Sequence, residues 1–185
     1  MKNKLAIFDL DGTLFDTTEV NFFSYSQAME KFNYELPYEY FLEKCYGKYY
    51  KEFLPEIIGN SEEVLEKIHN LKKELYAKNL DKAKINTHLF NIIDNIKEDY
   101  NVAICTTASK KNTIEILKEF KKLEKFDLIL TNEEVKKKKP DPEGYCKVME
   151  HFKITPENTM IFEDSSVGIE AARRSKANVF VVNKF

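Results

Sequence analysis

The sequence predicts an α/β fold in which a parallel sheet carries helices on both faces and a helical segment is inserted early in the chain. Three observations predict it. Short apolar runs recur at Val102–Cys105, Phe126–Leu130, Thr159–Phe162 and Val179–Val182. Helical stretches of about ten residues separate them, a spacing that requires right-handed crossovers between parallel strands. From Thr17 to about Leu80 no such run occurs and the apolar spacing is helical throughout. The residues able to do chemistry follow the apolar runs, where an open parallel sheet holds its ligands at the carboxyl ends of its strands.

Taken in order, Leu5–Phe8 is an apolar run rich in β-formers and predicts the first strand, which delivers Asp9 and Asp11 into a Gly12-Thr13 turn. Residues two apart on a strand share a face, so the two carboxylates point the same way. With no basic residue beside them, that pairing is costly unless a cation or a reaction explains it. The inserted segment reads as helices over Asn21–Phe32, Glu39–Cys45, Tyr49–Ile58 and Glu62–Leu80. Pro37, Pro55 and Gly59-Asn60-Ser61 punctuate it, with Ser61 as a helix cap. Its many aromatics, Phe22, Tyr25, Phe41, Tyr50 and Phe53 among them, suit the core of a small bundle. Asn86 or Thr87 caps a helix running to Lys97, and further helices are expected over Lys111–Leu123, Asp141–Phe152 and Val167–Ser175. Lys136, Lys137 and Lys138 read as a solvated face, and His69, His88 and His151 as surface residues on helices or their edges.

Lysine plus arginine (29) nearly balances aspartate plus glutamate (31), so no global field favours nucleic acid or an acidic partner. The arginines are Arg173 and Arg174 alone, which leaves little capacity for bidentate clamps on a phosphate and hands that work to lysine. Cys45, Cys105 and Cys146 are widely spaced with no CxxC pair; they read as reduced thiols, Cys105 in a core strand. No His/Cys cluster suggests zinc. The N-terminus runs straight into the first strand, and no apolar run nears the ~20 residues of a membrane span. The expectation is a cytoplasmic protein with no signal peptide, no anchor and no membrane partner.

Asp9-Leu10-Asp11-Gly12-Thr13-Leu14, followed by Asp16, resembles the first motif of the haloacid dehalogenase superfamily in its phosphatase form. Three later stretches resemble that family's remaining motifs in the family's order. They are Thr106 after the strand Val102–Cys105, Lys139-Pro140 ahead of a helix, and Glu163-Asp164 leading into Ser165-Ser166-Val167-Gly168. The resemblance implies a Rossmann-like parallel-sheet core from residues 1–16 and 82–185, with residues 17–81 forming a small inserted α-helical cap over the active site.

The resemblance also implies a Mg2+-dependent phosphatase that hydrolyses a small phosphorylated metabolite, a sugar phosphate, nucleotide or similar, through an aspartyl-phosphate. Asp9 would be the nucleophile, and Asp11 the general acid and then the base for water. Thr106 would bind a phosphate oxygen, with Thr107 adjacent and the register open by one residue. Ser109 and the N-terminus of the helix after it would add donors. Lys139 would supply the fixed cation, with Pro140 or Pro142 presetting the start of its helix. Asp9, the backbone carbonyl of Asp11, Asp164 and Glu163 would hold Mg2+, Glu163 directly or through water. Without a cation these acids would repel a phosphate dianion. Lys48, beside Gly47 in the cap stretch Lys44–Lys51, would reach an anionic group on the leaving portion of the substrate. The same motifs serve a phosphomutase of the β-phosphoglucomutase type, which is the alternative reading. A non-catalytic phospho-ligand-binding protein is a more remote one. Substrate identity and oligomeric state are not legible in the sequence.

Overall fold

The computed structural model describes residues 2–183 and 185. The chain divides into two compact units, Met1–Asp16 with Lys84–Phe185, and Thr17–Ala83.

In the first unit, β1 (Lys4–Phe8) leads through the Gly12 turn to the short β2 (Phe15–Asp16). The second unit holds α1 (Thr18–Glu30), a single turn α2 (Tyr38–Tyr40) passing into a π-helical turn over Phe41–Cys45, α3 (Tyr50–Ile58) and α4 (Glu62–Tyr76). A 3-10 stretch over Ala77–Lys82 ends that unit. The chain re-enters the first unit at β3 (Lys84–Ile85), which pairs antiparallel with β2. It continues through α5 (Thr87–Ile96), β4 (Tyr100–Cys105), α6 (Lys110–Glu119), β5 (Leu128–Leu130), α7 (Glu143–Phe152), β6 (Thr159–Glu163), α8 (Ser166–Arg174) and β7 (Asn178–Val181).

The five long-range strands form one parallel sheet in the order β5-β4-β1-β6-β7. The chain steps outward from β1 through β4 to β5, then crosses to β6 and β7 on the other side. The order therefore reverses between β1 and β6, and an open α/β sheet has its ligand crevice at the carboxyl ends of two such strands. Here those ends carry Asp9 and Glu163-Asp164. The register is tight, with Phe8 opposite Phe162 and the Asp9 N–H donating to the Phe162 carbonyl at 3.0 Å. Phe8 stacks on Phe162 at 4.6 Å between ring centres, and Phe162 on Phe180 at 5.1 Å, which helps pin β1, β6 and β7 in that register.

Strand alternation sorts the side chains. Leu5, Ile7, Ala103, Cys105 and Ile161 pack with Tyr145, Val148 and Met149 of α7 and Ala171 and Ala172 of α8 in one core. Asp9 and Glu163 continue the odd-numbered positions of their strands, so both carboxylates emerge on the side covered by α7.

The second unit has its own core, in which Tyr25, Met29, Phe41, Phe53, Leu54, Leu65 and Ile68 pack together. Several details depart from the expectation. The π-helical turn over Phe41–Cys45 takes the place of the end of the helix expected over Glu39–Cys45. Ser61 occupies the cap position of α4, but its side chain makes no capping bond. His69 is half-buried, its ring stacked on Tyr50 at 3.7 Å and its Nδ1 3.3 Å from the Tyr25 hydroxyl, so it is part of the packing and not a surface residue. His88 and His151 are exposed as expected. Among the described residues no helix is long and apolar enough to cross a membrane.

Candidate active site

Asp9 stands at the end of β1, its side chain 8 % exposed. Its Oδ1 accepts from the Lys139 ammonium at 2.6 Å, and the same ammonium donates to Glu163 Oε1 at 2.5 Å. One cation therefore bridges the carboxylates at the ends of the two switch-point strands. Asp164 follows, its Oδ1 accepting from the Thr13 hydroxyl at 2.9 Å. Among the described residues Asp9, Glu163 and Asp164 each offer an oxygen, all within 4.8 Å of one another.

The electrostatics follow from that geometry. Burial raises the Asp9 carboxyl well above its usual range; Lys139 opposes the rise, and Glu163 and Asp164 add to it. Burial works against the Lys139 ammonium, but Asp9, then Tyr145 and Glu163, outweigh it and hold the ammonium well above its usual value. Asp164 is raised too, by burial first and by the charge on Glu163, against its bond from Thr13. Besides burial, the three neighbouring carboxylates outnumber the one ammonium paired with Asp9 and Glu163, which leaves two negative charges in surplus. A single divalent cation neutralises that surplus, and an all-oxygen carboxylate set suits a hard ion such as Mg2+.

The backbone is shaped around these acids. Gly12 has φ of +87°, and a Cβ there would meet Asp164 Oδ2 at 2.1 Å. Asn86 fastens the same turn: its amide donates to the Thr13 carbonyl at 3.1 Å, while its Oδ1 caps α5 by accepting from the Leu89 N–H. Of the two residues offered as that cap, the structure selects Asn86.

Glu163 is fully buried, and its two oxygens are engaged in different ways. Oε1 takes Lys139 and, at 3.1 Å, the Tyr145 hydroxyl; Oε2 takes the Ser165 N–H at 2.9 Å and the Ser165 hydroxyl at 3.0 Å. Direct coordination of a metal by Glu163 would compete with four donors. Ser165 at the same time caps α8, its Oγ accepting from the Gly168 N–H.

The remaining sequence-predicted residues fall as follows. The Thr106 side chain, buried at the end of β4, accepts from the Ala108 N–H at 3.0 Å, which leaves its own proton to donate. Thr107 is exposed, and both line a small cleft with Cys105, Lys139, Gly144 and Tyr145. Ser109 caps α6, its Oγ accepting from the Asn112 N–H at 3.3 Å. At the N-terminus of α6 the Lys110 N–H donates to both Glu133 oxygens at 3.0 and 3.1 Å, so that donor is already taken. The helix after Lys139 starts at Glu143 with Pro142 in the cap position, so Pro142, not Pro140, presets it. Asp11 lies in the turn, its carboxylate outside the converging trio. Lys48 is an exposed residue of the second unit, its N–H donating to the Cys45 carbonyl at 3.0 Å. Burial pushes the Cys105 thiol up to about 12, far from a reactive thiolate.

A family sequence model described as haloacid dehalogenase-like hydrolase matches residues 6–182. The chain belongs to that family. Among the haloacid dehalogenase-like hydrolases it resembles a phosphorylated carbohydrates phosphatase of Thermotoga maritima, 31% identical over 176 residues that cover 91% of this chain and 79% of that one. It also resembles a β-phosphoglucomutase of Bacillus subtilis, 26% identical over 97% of this chain and 82% of that one. Its fold is shared with the crystal structure of CbbY from Rhodobacter sphaeroides in complex with phosphate, with a TM-score of 0.85 at 23% identity over 100% of this chain and 88% of that one.

Sequence reasoning missed Thr13, Tyr145 and Ser165 as partners of the site's carboxylates. Thr13 stands inside the first motif and Ser165 inside the fourth, so position was a signal for both. Tyr145 had none, because its partner is 18 residues away on another element.

Proposed function

We propose that this protein is a Mg2+-dependent phosphatase that hydrolyses a small phosphorylated metabolite of the carbohydrate class through an aspartyl-phosphate on Asp9. The observation that carries the reading is the Lys139 ammonium held between Asp9 and Glu163 at the switch point of the sheet, with Asp164 beside them. The substrate class rests on the similarity to the phosphorylated carbohydrates phosphatase of Thermotoga maritima.

Lys139 occupies Oδ1 of Asp9 and leaves Oδ2 as the attacking oxygen. As Oδ2 bonds to phosphorus the P–O bond to the leaving group breaks, and Asp11 gives that oxygen its proton. Asp11, now a carboxylate, then takes a proton from water as the water oxygen attacks phosphorus, inorganic phosphate leaves and the Asp9 carboxylate is restored. Lys139 and the Thr106 hydroxyl face the transferring group as its charge redistributes. Asp9, Asp164 and the Asp11 carbonyl would hold Mg2+, which when bound neutralises the surplus carboxylate charge that would otherwise repel the phosphate dianion. We assign Glu163 to hold Lys139 and to reach the metal only through water, since its oxygens already have four donors. The helical unit Thr17–Ala83 is assigned as the cap, with Lys48 as its candidate substrate contact. The protein is assigned to the cytoplasm.

The second reading is a phosphomutase, favoured by the 26% identity to the β-phosphoglucomutase of Bacillus subtilis. A mutase must keep water off the aspartyl-phosphate until the sugar phosphate turns round. A panel of phosphorylated metabolites, assayed with and without Mg2+ for free phosphate and for isomerised product, separates the two. Hydrolysis predicts stoichiometric free phosphate that Asp9→Asn abolishes. Isomer without free phosphate would select the mutase, and neither product would sink both.

A further inference from the structure

Tyr145 lies on the first turn of α7, six positions beyond Lys139, and is 1 % exposed. It is the largest fully buried side chain of the described residues, and packing against Cys105, Leu130 and Val148 would account for its ring. Packing does not account for its hydroxyl. A phenylalanine would fill the same space without bringing a polar group into the core, and a buried hydroxyl must find a partner. This one donates to Glu163 Oε1 at 3.1 Å, the same oxygen that takes the Lys139 ammonium. The ring of the same residue lies 5.1 Å from Lys139 Nζ, within reach of a cation–π contact. Tyr145 therefore touches both the cation and the carboxylate that holds it.

We propose that Tyr145 is a positioning residue whose hydroxyl shares Glu163 Oε1 with Lys139 and so keeps the ammonium extended toward Asp9. Lysine is a compact charge on a flexible four-carbon stem, with no fork geometry to fix its direction. Between two carboxylates at 2.6 and 2.5 Å its position depends on how strongly each one pulls. Ser165 fixes Oε2 with two donors, so the carboxylate cannot rotate away. The Tyr145 hydroxyl then satisfies part of Oε1 and weakens its hold on the ammonium. Without it, Lys139 is the single donor at Oε1 and sinks toward Glu163, away from the oxygen where phosphoryl transfer is proposed to occur. The loop and first turn over Lys139–Tyr145 thus deliver both the cation and the group that sets its place.

The activity arm rests on the phosphatase reading; the labelling arm does not. The variant is Tyr145→Phe, which keeps the ring and removes the oxygen. In the first arm, intact protein is acetylated with an N-hydroxysuccinimide ester and Lys139 is followed by peptide mass spectrometry. The proposal expects the Lys139 rate to change at least about threefold in Tyr145→Phe while Lys137 and Lys138 keep theirs; an unchanged Lys139 rate overturns it. In the second arm, hydrolysis of an aryl phosphate should show kcat about tenfold lower with KM within about twofold, the size expected for one hydrogen bond to a charged group. Changes confined to KM, or none, would overturn it. A wild-type protein that releases no phosphate would refute the phosphatase reading and leave the labelling arm to decide on Tyr145. A Tyr145→Phe chain that does not fold would also overturn the proposal, because a hydroxyl the fold cannot lose is structural.

Discussion

Replacing Gly168 by alanine sets two physical rules against each other. Gly168 is the third residue of α8, and alanine inside a helix is favoured over glycine by about 1 kcal/mol. A Cβ at that position, however, would stand 1.7 Å from Glu163 Oε1 and 2.0 Å from the carboxyl carbon. To restore an ordinary contact of 3.4 Å the carboxylate must retreat by about 1.7 Å. Its bonds to Lys139, Tyr145 and Ser165, now 2.5 to 3.1 Å, cannot all survive that move. A hydrogen bond to a charged group contributes about 1.5–3 kcal/mol. Loss of two of the four, set against the helix gain, leaves a destabilisation of about 2–5 kcal/mol. For a chain of this size that lowers Tm by at least about 4 °C. Urea unfolding followed by circular dichroism should give a lower midpoint with an unchanged slope, and kcat on an aryl phosphate should fall as Lys139 loses its anchor. A variant as stable as the parent or more so, with full activity, would refute the packing of Glu163 against α8.

Three further outcomes follow from the same geometry. Chelation should abolish activity and Mg2+ restore it, with Ca2+ inhibitory because of its larger, looser shell; Asp164→Ala should weaken the Mg2+ dependence more than Glu163→Ala, and a rate indifferent to EDTA would dismiss the metal. Glu143 accepts the backbone N–H groups of Lys136 and Lys137 and pairs with Lys147, which together hold its carboxyl down to about 2. Its contribution to stability is therefore present above the unfolded value of about 4.3 and lost as pH falls toward 2. Unfolding midpoints of the parent and Glu143→Gln should differ at pH 6, draw closer below pH 4 and converge only at about pH 2, whereas a gap that widens in acid would contradict the assignment. Lys48→Ala should lower kcat/KM several-fold for the physiological substrate and leave an aryl phosphate unaffected; equal effects on both would remove Lys48 from substrate recognition.

The sheet and its helices were legible because each strand is a short apolar run and each helix repeats its apolar positions at the helical period. Elements of two residues carry no period, so the β2–β3 pair escaped notice. The π-helical turn over Phe41–Cys45 escaped for a related reason, since its apolar spacing matches an ordinary helix end. Asp9, Lys139, Glu163 and Asp164 were legible as chemistry because each follows a strand or opens a helix in a patterned stretch. What their neighbours do was not. Glu163 read as a ligand directly or through water from its place beside Asp164 after a strand, and the choice between the two was not legible because it turns on the donors from α7 and Ser165 that surround its carboxylate. The N-terminus of α6 read as an anion site, yet Glu133, 23 residues downstream, already occupies its first N–H. Both details depend on tertiary partners, which no local pattern encodes.

The central claim is that Asp9 attacks phosphorus, and trapping its phosphorylated form tests it most directly. Enzyme, Mg2+ and a turned-over phosphate ester are mixed, quenched in acid within the first turnovers and reduced with borohydride, which converts an acyl phosphate on aspartate to homoserine. The account predicts homoserine at position 9, present only with substrate and absent in Asp9→Asn, while the Asp11 peptide position is unchanged. Turnover that leaves residue 9 as aspartate and places the modification on another side chain would contradict it.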